Sequence, residues 1–197
     1  NILTPKGFVH EIGEKNSQLI KKINRSIKFP VVIKPINEGS SVGVYICNKK
    51  NIWTNINKLK DYNEILIETY IPGKEIQSAI MGKKKLGSIE LKPKRKFYDY
   101  KAKYKKEANT KHIMPANISK KNYKIVNSIA YNAHKLLNCR GITRCDFRFY
   151  KNKFYLLELN TQPGLTSLSL VPEIARHSNI NFEELLDFLI KDASTNK

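Results

Sequence analysis

The chain has 197 residues, 41% of them hydrophobic, and a formal net charge of +19 at pH 7. This length allows one large or two small domains, and the hydrophobic content excludes a disordered chain. The three cysteines form no CxxC pair, which argues against a disulfide framework and favours a reducing cytoplasm, and no apolar run approaches the roughly 20 residues that span a bilayer. The charge keeps a nucleic-acid-binding module open as an alternative, although lysines scattered along the whole chain also arise from a general composition bias.

A loop rich in glycine and serine follows the first clear strand pattern. The β-branched run "VVIK", the loop Gly39-Ser40-Ser41-Val42-Gly43 and the run "VGVYIC" predict strand, loop and strand. The loop fits a G-x-S-x-G nucleophile elbow, a nest of backbone N–H groups for phosphate, or an ordinary hairpin turn. An elbow needs a helix directly after the loop, whereas the helical pattern begins only at Ile52, so a hydrolase that uses Ser41 is the weaker alternative.

The later elements follow in an order without internal repeats. Strands are predicted in "EILIETYI", "EIQSAIM" and "KLGSIEL", and a helix from Tyr123 to Leu137. A hairpin of "GITRCDFRFY" and "KFYLLELN" comes next, then the loop "TQPGLTSLSLVP" and a helix capped by Asn181. No clean period runs from Lys92 to about Lys121, which is typical of a functional lid or a disordered segment. This order predicts an α+β fold.

The predicted hairpin brings charged side chains onto one face. Its first strand carries Arg144, Asp146 and Arg148 on that face, and its second strand carries Glu158 and Asn160. If residues 151–153 form the loop, Asp146 lies opposite Glu158, and two carboxylates with an amide oxygen suit magnesium. The alternative is a solvated face on which the two arginines neutralise the acids, and spacing alone leaves the choice open. Lys34, at the end of its strand, is a candidate to meet phosphate oxygens.

The stretch "KFYDYKAKY" alternates aromatic and basic residues. Such a pattern serves either a groove that stacks the bases of single-stranded nucleic acid or a lid over a nucleotide. The four histidines form no H-E-x-x-H or similar pair, which argues against zinc, and His134 and His177 are interpreted as ordinary helix residues.

Five long segments occur in a fixed order: "FPVVIKPINEGSSVGV", "LIETYIPGKE", "FYDYKAKY", "CRGITRCDF" and "YLLELNTQPGLTSLSLVP". In this order and spacing they resemble the D-alanine-D-alanine ligase family of the ATP-grasp superfamily. The resemblance implies two α+β subdomains with the nucleotide site between them, a central one over residues 1–68 and a C-terminal one over residues 69–197. It covers only these two domains, so we expect an N-terminal domain upstream of Asn1, and little or no activity from this chain alone.

The resemblance also implies an activity. Two D-alanines are ligated at the expense of ATP through a D-alanyl phosphate, in the cytoplasm, to give D-alanyl-D-alanine for peptidoglycan. The implied cofactors are ATP and magnesium, with manganese as a substitute. The implied partners are small molecules, without nucleic acid or membrane, and a homodimer is left open for the complete protein. A D-alanine-D-lactate or other carboxylate-amine ligase is the alternative, and the "YDYKAKY" pattern favours the dipeptide.

The family's site residues carry over onto matching positions. For ATP, the resemblance assigns the phosphates to Lys34 and Lys103, adenine to Phe97, Glu68 and the backbone of Thr69 and Ile71, and ribose to Glu75. Magnesium would be held by Asp146, Glu158 and Asn160, and Arg144 would stabilise negative charge on the acyl phosphate. The second D-alanine would lie against Gly164, Ser169 and Leu170. Ser40 would link to Tyr104 of the lid and exclude water, so neither would be a nucleophile.

Overall fold

The structure is a computed structural model that describes residues 1–13, 16–93, 110–166 and 169–194, with the side chains of residues 16 and 17 excepted. Its strands are β1 (Gly7–Glu11), β2 (Val31–Pro35), β3 (Tyr45–Cys47), β4 (Glu64–Thr69), β5 (Lys74–Met81), β6 (Lys84–Lys92), β7 (Lys111–Ile113), β8 (Ile142–Tyr150) and β9 (Lys153–Asn160). Its helices are α1 (Asn16–Ser26), α2 (Ile52–Asn57), α3 (Lys120–Leu136), α4 (Leu170–His177) and α5 (Phe182–Asp192). None of the helices in this described part has the length and apolar character that crossing a membrane needs.

The chain forms two compact units. The four-stranded unit contains Pro5–Ile71, and the five-stranded unit contains Asn1–Thr4, Pro72–Lys92 and the chain from Lys111 onward. The sheet of the four-stranded unit has the order β1-β4-β2-β3, and its strand pairs are antiparallel. Helix α1 packs on this sheet because Leu19 and Ile23 recur at a spacing of four and are fully buried against β2 and β4.

The five-stranded unit has the sheet order β7-β6-β5-β8-β9, also antiparallel. Its core lies between the sheet and helix α3, whose Val126 and Ala130 pack with Ile76 and Phe147. Because side chains alternate along a strand, residues next to these core positions point to the opposite face of the sheet. That opposite face carries the charged residues described below.

The predicted strands, the central helix and the final helix are confirmed, and Asn181 caps α5 in a capping box with Glu184. Four elements were missed: β1, α1, β7 and α4. The predicted loop through Pro172 is wrong at its end, because α4 begins at Leu170. Proline is tolerated there because the first helical N–H groups have no partner within the helix.

The β8–β9 hairpin confirms that Asp146 lies opposite Glu158, but not through the predicted loop. Lys153 pairs with Tyr150, so the turn is only Lys151 and Asn152, with φ of 47° and 58°. These left-handed values are those of a two-residue hairpin turn that matches the twist of the strands.

A β-bulge supplies the residue that the shorter turn leaves out. Phe147 pairs with Leu156 whereas Asp146 pairs with Glu158, so Leu157 is the extra residue of β9. Without it, the two-residue turn would place Leu157 opposite Asp146 and turn Glu158 to the core face. The bulge therefore determines which oxygens face each other across the hairpin.

Candidate functional site

Arg144 connects the two opposed carboxylates of the hairpin. Its Nε and Nη2 donate to Oδ1 and Oδ2 of Asp146 at 2.8 and 3.1 Å. The same Nη2 lies 3.9 Å from Oε1 of Glu158. Asp146 is buried, whereas the side chain of Glu158 is 54% exposed. The guanidinium thus offsets the repulsion that two opposed carboxylates would otherwise create. This is the neutralising role that one of the two sequence interpretations gave to Arg144.

The oxygens on this face fit a hard divalent cation. Each carboxylate oxygen of Asp146 has a second lone pair beside the one that Arg144 uses, and Glu158 is open to solvent. Asn160 lies opposite Arg144, and its Oδ1 accepts the backbone N–H of Gln162 at 3.0 Å with one lone pair. No three His, Cys, Asp or Glu side chains of the described residues are grouped to hold a metal. A cation here would therefore use two carboxylates and an amide, a donor set that suits magnesium.

Glu75 continues the charged face along β5. It pairs in register with Arg148 of β8, and Nη1 of Arg148 lies 3.5 Å from Oε2 of Glu75. Nη2 of Arg148 also donates to the carbonyl oxygen of Gly73 at 2.8 Å. Both charged side chains are largely buried, so the arginine fixes the orientation of this carboxylate.

Cys145 lies on the other face of β8, within the core. Burial raises the pKa of its thiol to about 12, and the neighbouring carboxylate of Asp146 adds to the effect. The thiol is therefore protonated at neutral pH and has no thiolate with which to act as a nucleophile or metal ligand.

In the four-stranded unit, Lys34 and Glu68 form an ion pair. Nζ of Lys34 lies 2.9 Å from Oε1 of Glu68, and the side chains are 25% and 10% exposed. Glu68 lies between Gly7 of β1 and Val32 of β2 in register. A Cβ on Gly7 would come within 2.9 Å of the Cβ of Glu68. The glycine at position 7 therefore makes room for the side chain of Glu68.

Thr69 and Ile71 end this part of the chain. The backbone N–H of Thr69 donates to the carbonyl oxygen of Lys6 at 2.8 Å, and Thr69 pairs with Val31. Ile71 ends the segment Pro5–Ile71 of the four-stranded unit. The N–H of Thr69 therefore already has an acceptor within the chain, and the contact of the Thr69 and Ile71 backbone with adenine stays a prediction.

The glycine and serine loop joins two paired strands. β2 and β3 are antiparallel neighbours, so the strand, loop and strand order is confirmed, and no helix follows the loop directly. Ser40 and Ser41 have φ of 52° and 62°, and the N–H of Val42 donates to the carbonyl oxygen of Gly39 at 3.0 Å. The nucleophile elbow lacks the helix it requires.

The loop before α4 is held by hydroxyl groups. Oγ of Ser169 accepts the backbone N–H of Thr166 at 3.0 Å and lies 2.9 Å from the Thr166 hydroxyl oxygen. Ser169 therefore makes no side-chain cap on α4, although it is the residue before the helix. A Cβ on Gly164 would approach Oγ of Ser169 to 2.8 Å, and Leu170 is buried. The three residues predicted to bind the second substrate thus lie close together.

Two further residues of this unit were missed by sequence reasoning. His112 of β7 lies with its Nδ1 2.7 Å from Oε2 of Glu173, which connects β7 to helix α4. Gln77 shares the face of Glu75 because it lies two positions further along β5. Alternation of side chains along β5 could have identified Gln77 from the sequence. The contact of His112 joins residues 61 positions apart, so no local sequence pattern predicts it. Phe97, Lys103 and Tyr104 lie outside the described residues.

The comparisons with known proteins agree on one family. The family model for the D-ala D-ala ligase C-terminus matches residues 6–191. A D-alanine--D-alanine ligase of Pelagibacter ubique is 58% identical over 196 residues, which are 100% of this chain and 64% of that protein. The chain thus spans less than two thirds of this relative's length.

Two solved structures are similar in fold. A Bacillus anthracis D-alanine--D-alanine ligase complexed with ATP superposes with a TM-score of 0.78 at 27% identity, over 97% of this chain and 60% of that one. The VanG D-Ala:D-Ser ligase of Enterococcus faecalis gives 0.82 at 28% identity, over 96% of this chain and 57% of that one. The predicted α+β fold of the ATP-grasp class is confirmed.

Proposed function

Because the chain belongs to the family of D-alanine-D-alanine ligase C-terminal domains, we propose that it is the ATP-binding part of an enzyme that ligates two D-alanines. The observation that carries this proposal is the 58% identity, over the whole chain, to a protein with that name. In this reaction a carboxylate oxygen of the first D-alanine attacks the γ-phosphorus of ATP and releases ADP. The amine of the second D-alanine then attacks the acyl phosphate carbon, phosphate leaves, and the nitrogen loses a proton.

In the four-stranded unit, the ion pair of Lys34 and Glu68 supports a role in nucleotide binding. We assign Lys34, with Lys103, to the phosphates, and Glu68 with the Thr69 and Ile71 backbone to adenine, against which Phe97 packs. The pair holds the ammonium within 2.9 Å of a carboxylate before phosphate arrives, so its position is fixed in advance. Fixed cations suit phosphoryl transfer, which depends mainly on positioning and charge neutralisation.

In the five-stranded unit, the charged sheet face supports the metal and transition-state roles. Asp146, Glu158 and Asn160 are the proposed magnesium ligands, and Glu75 the proposed partner of the ribose. Magnesium, when bound, neutralises phosphate charge and polarises the phosphoryl group. Arg144 holds Asp146 by two hydrogen bonds, and its guanidinium is a fixed positive charge with which to stabilise negative charge on the acyl phosphate.

The remaining roles concern the acceptor and water. Gly164, Ser169 and Leu170 are proposed to lie against the second D-alanine, and the hydroxyl contacts of Ser169 support a fixed loop there. Ser40 and Tyr104 are proposed to close the site, because water would otherwise hydrolyse the acyl phosphate. We further propose a cytoplasmic location, which fits three cysteines that form no disulfide.

The test is a product assay on the protein as its gene encodes it. With ATP, magnesium and D-alanine, we expect D-alanyl-D-alanine, ADP and phosphate in equal amounts. D-serine and D-lactate, offered as acceptors in competition with D-alanine, test the alternative ligases, since a structural neighbour is named a D-Ala:D-Ser ligase. A mixed product in excess of the dipeptide would overturn the assignment of the acceptor.

A variant tests the metal assignment within the same assay. Glu158→Gln removes one charge from a side chain that is 54% exposed, so stability should change by less than about 0.5 kcal/mol. Loss of a metal ligand should lower turnover by at least about 100-fold, the scale of removing a major transition-state contact. Glu183→Gln, on the exposed surface of α5, is the matched control. Wild-type turnover in Glu158→Gln would reject the metal role.

A further inference from the structure

Gln77 carries a buried polar atom to which no role has been given above. Its side chain is 1% exposed, and its Oε1 has no hydrogen-bond partner in the structure. Among the described residues only Oδ1 of Asn127 shares this condition. A buried carbonyl oxygen without a donor destabilises a protein, so an unpartnered one indicates a partner that arrives from outside the chain.

The strand register places Gln77 in the proposed metal site. Gln77 of β5 lies opposite Asp146 of β8, and Asp146 lies opposite Glu158 of β9. Directly opposed residues share a face of the sheet and have neighbouring side chains. The amide and the two carboxylates therefore form one row of oxygen-bearing side chains across three adjacent strands.

The neighbouring protein groups do not supply a donor to this oxygen. Both oxygens of the Asp146 side chain accept hydrogen bonds from Arg144, so Asp146 acts as an acceptor here. Arg148, one row along, donates to Gly73 and lies against Glu75. A donor for Oε1 must come from outside the chain, and a water bound to a divalent cation is a strong one because the cation polarises its O–H bonds.

We propose that Oε1 of Gln77 accepts a hydrogen bond from a water molecule in the coordination shell of the magnesium ion. The inference rests on the proposed function and deepens it, making Gln77 a positioning residue beside Asp146. Magnesium keeps several of its waters when it binds to one or two carboxylates. Groups that orient the ligands from outside the coordination shell typically contribute about 10–100-fold to metal affinity.

The test measures metal dependence rather than activity. The purified protein, as its gene encodes it, is titrated with Mn²⁺ in the presence of ATP. Free Mn²⁺ is followed by electron paramagnetic resonance, and ATP binding is measured again in EDTA. Gln77→Leu should raise the Mn²⁺ concentration for half-maximal binding by about tenfold or more. ATP binding in EDTA should stay within about twofold, because the proposed bond needs the cation's water. Gln77→Glu, which keeps an acceptor oxygen and adds a negative charge opposite Asp146, should not weaken Mn²⁺ binding by more than about threefold.

The matched control is Asn127→Leu. Asn127 is also a buried amide with an unpartnered oxygen, but it lies on α3, whose neighbouring Val126 and Ala130 pack on the core face of the sheet. It should leave the Mn²⁺ titration unchanged. Thermal unfolding without ligand identifies any variant that fails to fold, in which case Gln77→Met replaces Gln77→Leu.

Four outcomes would overturn the inference. The first is a Mn²⁺ titration of Gln77→Leu within about twofold of the wild type, and the second is an equal loss of Mn²⁺ affinity in Asn127→Leu. The third is a loss of ATP affinity in EDTA as large as the loss of Mn²⁺ affinity, and the fourth is a loss of Mn²⁺ affinity in Gln77→Glu as large as in Gln77→Leu. Wild-type chain that binds no Mn²⁺ with ATP would overturn the proposed function together with this inference. A wild type that binds both and a Gln77→Leu variant that binds equally well would overturn the inference alone.

Discussion

His134 lies buried on α3, with its Nδ1 2.9 Å from the hydroxyl oxygen of Thr143. Burial lowers the pKa of this imidazole below its ordinary value of 6.5, and the charge of Asp192 offsets only part of that effect. The folded chain therefore binds fewer protons than the unfolded chain just below pH 6.5. The contribution of His134 to stability is present above that pH and is lost as the pH falls.

We predict that the melting temperature falls when the pH is lowered from about 7.5 to 5.5, and that His134→Gln makes this fall smaller by at least about 1–2 °C. Glutamine keeps a partner for Thr143 but cannot be protonated in this range. Asn132→Gln, on the exposed side of the same helix, is the control and should keep the wild-type slope. Equal slopes in His134→Gln and the wild type would contradict the assignment.

At the residue scale, sequence reasoning succeeded where alternation along a strand determines a face. Arg144, Asp146 and Glu158 were placed together correctly, because a period of two needs no tertiary information. It could not show that Arg144 holds both oxygens of Asp146, because rotamers depend on packing around the side chain. The unpartnered oxygen of Gln77 was also out of reach, since burial of one amide atom depends on neighbours far along the chain.

At the element scale, the loop between β2 and β3 depends on one of its two glycines. Gly43 has a φ of 68°, and a Cβ there would come within 2.9 Å of Cγ and Cδ of Pro35 and 3.0 Å of Leu59. A Cβ on Gly39 would meet nothing within 4 Å. The two positions carry the same residue in the same loop, but only Gly43 requires glycine on steric grounds.

We predict that Gly43→Ala lowers the free energy of unfolding by about 1–2 kcal/mol or more, the cost of a left-handed alanine before the contact with Pro35 is counted. Gly39→Ala should change it by less than about 0.5 kcal/mol. Urea unfolding followed by the fluorescence of Trp53, the chain's single tryptophan, reports on the core of this unit. Equal effects of the two substitutions would show that the loop does not adopt the described conformation.

The hairpin shows how a correct pairing can follow from an incorrect loop. A three-residue loop and a two-residue turn followed by a bulge at Leu157 give the same partner for Asp146. The alternation pattern cannot separate these two arrangements. The turn is one residue shorter than the predicted loop, and the bulge adds one residue to β9, so the two differences cancel at Asp146. β7 and α4 were missed for another reason. They have only three and eight residues, too few for a period to be recognised.

At the scale of the whole molecule, the fold class followed from the order of the elements, whereas the ATP-grasp assignment came from long motifs in register. One of the points at which the chain passes between the two compact units lies between Ile71 and Pro72, and no change of composition marks it. The assignment of the units to central and C-terminal subdomains of the family stays a prediction. Composition alone could not decide between a ligase and a basic nucleic-acid-binding module, because net charge bears on partners and not on the fold.

The charge of +19 itself makes a prediction that separates these two classes. If the lysines are only a composition bias, binding to a single-stranded oligonucleotide is purely electrostatic, because it comes from the release of counterions. Its affinity should then fall at least about tenfold when salt is raised from about 50 to 200 mM, and should be independent of base sequence. Poly-glutamate of the same charge should compete equally well, because it offers charge without bases to stack.

Binding of ATP with magnesium should change far less with salt, because partly buried groups such as Lys34 and Asp146 are less screened. Oligonucleotide binding that falls steeply with salt, selects a base sequence and is indifferent to magnesium and ATP would instead favour the nucleic-acid-binding module.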